Sequence, residues 1–301
     1  MRASTRTLCV FALSAIAVLL CLTRPLRAQH KDGTPEGGFR FLPGSPLQLP
    51  LVASDSEPRV GLRKEIGSSR MDLDIGATFD LAEYASPDGV ALRLGVDFFT
   101  YALTSSFSGH RLQVDAVDGF FGGHLLYRSA KAGRALVLRI RGLHRSAHFL
   151  DGHYDNALNQ WRDGREPIPF TKDLADVLAA YTWDAEAAPV TIHAGLGYST
   201  LIRPVEIERV AAVVGIELSS GSMLGTAFGR PFALFSSFNM SLDGIPETVG
   251  TSTVLAGVKF GEWDGQGVRL VVSYRSGLEM YGEYYDVRRT SWSLGILFDI
   301  W

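Results

Sequence analysis

Cysteine is almost absent from this sequence. Its 301 residues include two, Cys9 and Cys21, and both precede the point where we expect the exported chain to begin. The exported chain would then carry neither a disulfide framework nor a thiolate metal site.

Long hydrophobic runs are also missing, apart from one at the N-terminus. A basic start is followed by an apolar run from Leu8 to Leu22 and by a small residue, Ala28. These features are typical of a secretory signal peptide, and the run is too short for a typical transmembrane helix. We expect residues 1–28 to be removed. Lipoprotein cleavage before Cys21 is disfavoured because a bulky leucine precedes that cysteine.

Positive charge is in short supply. Without residues 1–28 the chain loses four arginines and no acid, which leaves 25 Lys and Arg against 32 Asp and Glu, a formal charge of −7. This balance gives no reason to expect nucleic-acid binding. The sequence also lacks a phosphate-binding glycine loop and a Gly-x-Ser-x-Gly elbow, so nothing indicates a nucleotide site.

The chain has instead a recurring alternation of apolar and polar residues, clearest at 69–82, 90–98 and 268–280. Successive side chains of a strand point to opposite faces, so each segment predicts a strand with one apolar face. Soluble strands average about 5–6 residues, whereas tilted strands that cross a bilayer need about 9–11. We count about twelve longer segments, near 57–64, 69–82, 90–103, 117–128, 134–148, 172–183, 190–202, 207–218, 228–239, 251–261, 268–280 and 290–301.

The apolar parity of the clearest segments carries no charged residue over its central stretch, as a lipid-facing surface requires. The sequence therefore predicts an all-β fold, a transmembrane antiparallel β-barrel of about 12 strands over residues 57–301. Residues 29–56 are rich in Pro and Gly and show no period, which predicts a periplasmic lead-in or a partial plug. With the last strand ending in the periplasm, longer connections such as 104–116 and 149–171 would be extracellular.

The C-terminal segment 290–301 resembles the last-strand signature of bacterial outer-membrane barrels. Gly295 is followed by alternating hydrophobes, including Phe298 and Ile300, and by a terminal aromatic, Trp301, one residue beyond the usual parity. The resemblance implies a place in the outer membrane of a Gram-negative bacterium. It also implies that the barrel-assembly machinery recognises this strand.

The polar parity predicts the residues that line the lumen. They would form either a salt-bridged interior or an arginine-lined path for anionic solutes. The predicted lumen residues are Arg93, Asp97, Arg139, Arg141, Lys259, Arg269, Arg275 and Glu279.

A histidine-rich segment ends one of the predicted strands. His144, Ser146 and His148 share the lipid-facing parity near the extracellular end. His-x-Ser on a barrel strand resembles the dyad of outer-membrane phospholipase A and of lipid A deacylase. The resemblance implies that Ser146 is a nucleophile and His144 a general base, with Asn156 or Asp151 orienting the imidazole.

Both hydrolase families follow the serine with asparagine, where this chain has Ala147. A longer stretch resembles a bacterial outer-membrane family catalogued as a domain of unknown function, which implies the barrel and assigns no activity. The matching positions are His144, Ser146, His148 and Asp151, with Ala53, Asp55, Pro58 and Arg59 upstream in looser spacing.

Metal binding is not predicted on this strand. His144 and His148 would lie about 13 Å apart, too far to share one ion. Zinc would need His148, His153 and neighbouring carboxylates to converge through a folded-back loop. Calcium, held by loop carboxylates, is expected only with the hydrolase interpretation.

Two functions remain open from the sequence. One is an outer-membrane barrel with a structural, interaction or narrow-pore role. The other is an outer-leaflet lipid-ester hydrolase that acts on phospholipid or lipid A. In both cases the expected partners are outer-membrane lipid and lipopolysaccharide, with no nucleic acid and no other cofactor.

Overall fold

The computed structural model describes residues 37–44, 46–107, 111–183, 188–221, 223–245 and 247–300. The predicted signal peptide, residues 1–28, lies outside the described residues, and so does the first part of the predicted lead-in, residues 29–36.

Strands make up most of the described chain. Their bounds are β1 Gly38–Phe41, β2 Val60–Glu65, β3 Arg70–Ala85, β4 Val90–Phe107, β5 Arg111–Lys131, β6 Arg134–Phe149, β7 Tyr154–Asp155, β8 Gln160–Trp161, β9 Phe170–Trp183, β10 Val190–Arg203, β11 Val210–Ser219, β12 Thr226–Ala227, β13 Arg230–Ile245, β14 Glu247–Gly261, β15 Gly267–Leu278 and β16 Arg288–Asp299.

Short 3-10 turns lie in the connections, at Asp151–His153, Arg162–Gly164 and Gly282–Tyr284. No helix in the described part of the chain is long and apolar enough to cross a membrane.

Twelve strands, β2–β6, β9–β11 and β13–β16, form a closed antiparallel barrel, which confirms the predicted fold class. β2 closes the ring. It places Glu65 opposite Ser293 of β16 and Gly61 opposite Asp74 of β3. Closure leaves no long sheet edge open, because each wall strand pairs with a neighbour on both sides.

One position in the wall is built from two separate strands. β1 and β2 pair with different parts of the same edge of β3, with Phe41 opposite Ala82 and Gly61 opposite Asp74. Between them, residues 47–59 leave the wall and enter the lumen, and we call these residues the plug. The sequence allowed a partial plug within 29–56, and the inserted stretch extends three residues beyond that range.

Ion pairs and buried apolar residues hold the plug inside the barrel. Both carboxylate oxygens of Glu57 accept hydrogen bonds from the Arg139 guanidinium, at 2.9 and 2.6 Å. Asp55 pairs with Arg275 on the opposite wall. Leu51 is 3% exposed, so the plug also contributes apolar surface to the interior.

The outward face of the barrel carries an apolar belt. Large hydrophobic side chains on every wall strand from β3 onward are exposed, which is unusual for a soluble protein surface. We call these residues the girdle. They include Ile75, Phe79, Leu94, Phe98, Phe121, Leu125, Ile140, Val177, Ile192, Leu196, Val214, Leu234, Val254, Leu270, Val272 and Leu294.

All eight residues predicted for the lumen are largely buried on the inward parity, and each has a polar partner. Arg93 pairs with Asp80 and Glu83, and Asp97 accepts a hydrogen bond from His124. The other pairings are Arg141 with Asp176, Lys259 and Arg269 with Asp299, Arg275 with Asp55, Arg139 with Glu57, and Glu279 with Arg70.

The connections alternate between the two ends of the barrel. One end, here the long-loop end, carries the segments 150–169 and 279–287, and β16 runs towards the opposite end. The predicted connection 104–116 is mostly strand, since β4 continues to Phe107 and β5 begins at Arg111. Beyond the girdle the two faces of a hairpin both carry polar residues, so the alternation of apolar and polar residues stops there. The backbone hydrogen bonds between the strands continue, so the strands are longer than the alternation predicts.

Candidate active site on the outer wall

His144 and Ser146 lie on β6 near the long-loop end and face outward. Their inward neighbours, Leu143 and Ala147, are 4% and 0% exposed. Arg145, between them, points inward, where its guanidinium pairs with Asp118 at 2.6 Å. Residues two apart on a strand lie on the same face, so His144 and Ser146 share the outward face of β6.

The neighbouring strand supplies a carboxylate to His144. β9 pairs with β6 so that Asp173 lies opposite His144, and Asp173 Oδ1 is 2.5 Å from His144 Nδ1. The side chain of Asp173 is 42% exposed and that of His144 is 31% exposed, so a molecule outside the wall can reach both. Phe121 of β5 flanks the imidazole from the other side, with ring centroids 4.7 Å apart.

Ser146 occupies the next outward position beyond His144. It lies opposite Gly119 of β5 and Thr171 of β9. Within the described residues its hydroxyl makes no hydrogen bond, to His144 or to any other group. Gly119 has no side chain, and the position that a Cβ would take there is 3.9 Å from Ser146 Oγ with no other contact within 4 Å. The space beside the hydroxyl is therefore open. Because Nδ1 of His144 faces Asp173, Nε2 is the ring nitrogen left to exchange a proton.

Asp151 and Asn156, which the sequence nominated to orient His144, do not contact it. Asp151 begins a 3-10 turn beyond the end of β6, and Asn156 is an exposed residue of the long connection. His148 faces outward and is exposed. The prediction of Asp151 or Asn156 was therefore wrong, because the carboxylate beside His144 is Asp173. Asp173 was not recognised from the sequence because 20 residues, 150–169, separate β9 from β6.

Ala147 differs from the serine-following asparagine of the two hydrolase families. It is fully buried on the inner face, in a cluster with Phe170, Ile202 and Ile207. A residue on that parity cannot join a site on the outer wall. The departure at position 147 therefore concerns the inner packing of β6 and leaves the outward arrangement of His144 and Ser146 unaffected.

A second set of histidine contacts lies in the long connection. His153 Nδ1 is 2.8 Å from Asp115 Oδ1, and the Tyr284 hydroxyl donates to Asp115 Oδ2 at 2.5 Å. His153 Nε2 lies 3.0 Å from the Arg165 carbonyl oxygen. With a carboxylate on one ring nitrogen and a carbonyl on the other, His153 ties the connection to the barrel and has no free nitrogen for a metal.

The lumen contains a cavity of about 180 Å³ between the plug and the wall. Its polar lining is made of paired charges, such as Lys172 with Asp243 and Arg141 with Asp176. In the described part of the chain, no three His, Cys, Asp or Glu side chains are grouped so that they could hold a metal ion. The outer wall carries the solvent-accessible pair of His144 and Asp173, with Ser146 on the same face.

No family profile and no curated protein matches the sequence. Among solved structures, the β domain of the Bordetella autotransporter BrkA is similar, with 12% identity and a TM-score of 0.46, over 80% of this chain and 96% of that chain. OmpT, an outer membrane protein of Vibrio cholerae, is similar with 12% identity and a TM-score of 0.34, over 83% of this chain and 99% of that chain. These likenesses concern the fold alone.

Proposed function

We propose that this chain is an outer-membrane β-barrel that hydrolyses ester-linked acyl groups of outer-leaflet lipids. The observation that carries the proposal is the contact of His144 Nδ1 with Asp173 Oδ1 at 2.5 Å on the outward wall, with Ser146 two residues further along the same face. A carboxylate on Nδ1, an imidazole and a serine in this order are the parts of a nucleophilic serine site.

The girdle supports a place in a membrane. Its exposed hydrophobic side chains face outward while charged pairs fill the lumen, which is the reverse of a soluble barrel. Gly295 and Phe298 of the predicted last-strand signature lie in β16, whereas Trp301 lies outside the described residues. We propose that the barrel-assembly machinery recognises this strand. His144 lies level with the girdle residue Phe121, and Ser146 lies one outward position beyond it, a depth that suits ester groups below lipid headgroups.

The proposed chemistry follows from the atoms that face outward. His144 Nε2 takes the proton of Ser146 Oγ as that oxygen attacks the ester carbonyl. Asp173 holds the ring orientation and stabilises the imidazolium that forms. The proton then passes from His144 to the oxygen of the alcohol that leaves, which forms an acyl ester on Ser146. In the second half of the reaction His144 takes a proton from water as the water oxygen attacks this ester. The proton then returns to Ser146 Oγ as the free acid is released. Phospholipid and lipid A, the lipid component of lipopolysaccharide, are the ester lipids we propose as substrates.

The residues present do not fit a resident calcium ion. Asp173 is committed to His144, and the nearest other nominated carboxylate, Asp151, belongs to the turn beyond β6. The proposed mechanism therefore has no step through a metal.

A pore function receives less support than hydrolysis. The plug and the paired charges occupy much of the lumen, and the cavity that remains is about 180 Å³.

Acyl release from mixed micelles tests the proposal. Purified, folded wild type should release fatty acid from phospholipid or from lipid A, and Ser146→Ala should reduce release to background. Ser276→Ala is the matched control because Ser276 also faces outward near the long-loop end, bonded only to Thr290. Background release by wild type on both substrates, or equal release by wild type and Ser146→Ala, would contradict the proposal.

A further inference from the structure

The two strands that carry the candidate site separate just beyond it. The last paired residues of β6 and β9 are Ala147 and Phe170, and the rung before them joins Ser146 to Thr171. Ser146 is therefore one rung from the end of a ladder. Ladder ends open more easily than ladder centres, so something must hold the two strands together there if His144 and Ser146 of β6 are to keep their register with Asp173 of β9.

A carboxylate from the opposite side of the barrel lies in the fork between the two strands. Glu283 is in the 3-10 turn between β15 and β16 and is 1% exposed. Its Oε1 accepts the backbone N–H of Phe149 at 3.1 Å, and its Oε2 accepts that of Ile168 at 3.1 Å. Continued by two rungs, the β6–β9 register would pair Phe149 with Ile168. The carboxylate of Glu283 thus takes the place of the missing rung.

The same turn is fixed against the inner face of β6 by further contacts. The Gly282 N–H donates to both Asp118 oxygens at 3.1 Å, and Asp118 also pairs with Arg145, which lies between His144 and Ser146. A Cβ at Gly282 would lie 2.7 Å from the Ala147 Cβ, so only glycine allows this approach. The turn therefore packs directly behind the strand segment that carries Ser146.

Burial of the Glu283 carboxylate costs desolvation free energy, and filling the space between the strands does not require a charged group there. Burial raises the pKa of its carboxyl, and the two backbone donors oppose that shift. An apolar residue would fill the space without that cost but would leave two buried N–H groups unpaired. Asp286 of the same connection makes a useful contrast, because its carboxylate pairs with Arg165 on the exposed side and touches neither strand.

We infer that Glu283 is a positioning residue of the proposed hydrolase: its carboxylate closes the fork between β6 and β9 and so keeps His144 and Ser146 of β6 in register with Asp173 of β9. The inference rests on the proposed function. Glu283 contacts neither substrate nor the reacting atoms, and it acts through the backbone of the two strands.

Kinetics of Glu283→Gln on the full-length, refolded barrel test the inference. Glutamine keeps one acceptor oxygen and presents an amide where the second was, so one of the two backbone bonds is lost while the volume is unchanged. We expect kcat to fall by about a hundredfold, the order of loss for small misplacements in a catalytic site. KM should change less than threefold because the lipid-binding surface is intact. Asp286→Asn, the matched control, should keep wild-type kcat.

The hydrogen-exchange rates of the Phe149 and Ile168 amides provide a second measurement, which does not depend on activity. Exchange should be faster in Glu283→Gln and unchanged in Asp286→Asn. Wild-type kcat in Glu283→Gln, with or without faster exchange, would overturn the positioning role. A fall in kcat without faster exchange would overturn it as well. Inactivity of wild type would instead refute the proposed function, so the two failures are distinguishable.

Discussion

At the scale of single residues, the sequence predicted two of the three groups of the candidate site. His144 and Ser146 followed from strand alternation, because residues two apart must share a face. Asp173 could not be found in this way, since its contact with His144 depends on the register between β6 and β9. The signal available was that Asp173 is a charged residue on the outward parity of β9, where the other residues are uncharged.

Asparagine at position 173 should nearly abolish the proposed activity. In Asp173→Asn the amide can donate to Nδ1, which favours the ring form that cannot take a proton from Ser146. In a well-known serine protease the equivalent change lowers kcat about 10⁴-fold, and we expect at least a thousandfold loss here. Initial rates of acyl release at saturating lipid measure the effect.

The residues that the sequence nominated in place of Asp173 provide the control. Asp151→Asn and Asn156→Ala should keep kcat within about twofold of wild type, because neither side chain contacts His144. A loss in either variant as large as that in Asp173→Asn would contradict the site as described.

At the scale of the elements, all twelve wall strands were predicted, whereas the path of the plug was not. Apolar alternation marks a strand only where one face meets lipid and the other the lumen, so it gave the wall. The plug has no period, and its position depends on partners far along the chain, such as Glu57 with Arg139. Hairpin extensions beyond the girdle were missed for the same reason, since no apolar face remains to mark them.

Loss of the Glu57 charge should destabilise the barrel. Glu57→Gln removes the carboxylate that holds the buried Arg139 through two hydrogen bonds and leaves only Asp176, at 3.7 Å, as its charged partner in the described part of the chain. Breaking a buried pair costs about 3 kcal/mol or more. The midpoint of urea unfolding in lipid vesicles should fall accordingly. Glu208→Gln is the control, because Glu208 is exposed and has no ion-pair partner in the described part of the chain. Equal midpoints for the two variants would contradict the anchoring role of Glu57.

The plug should also block ion flow. Wild type in planar bilayers should show no steady conductance, whereas replacing residues 47–58 by a short Gly-Ser linker should give a stable open channel. If wild type already conducts steadily, the lumen is not closed by the plug as described.

At the scale of the whole molecule, the reversal of polarity between outer face and lumen is the main energetic feature. Strand alternation predicted it because each strand contributes one face to each side. The register at closure, with β2 joining β16 to β3, lay beyond the sequence, since it depends on pairing the first strand with the last.

A charge within the girdle should therefore be costly. Val272→Arg, on the outward face of β15, should reduce the folding free energy in lipid vesicles by about 2–4 kcal/mol, the cost of arginine at mid-depth. Leu224→Arg, in the exposed connection at the end away from the long loops, should cost about 1 kcal/mol or less. Equal costs at the two positions would argue that the girdle does not face hydrocarbon.

The proposed hydrolysis requires Ser146 to be an activated nucleophile on the lipid-facing wall. Its most direct test is reaction of the folded barrel with a long-chain alkyl fluorophosphonate, followed by peptide mass mapping. We expect one adduct, on Ser146, which is lost in His144→Ala and retained in Ser276→Ala. No adduct on Ser146, or equal labelling of Ser146 and Ser276, would contradict the proposed hydrolysis.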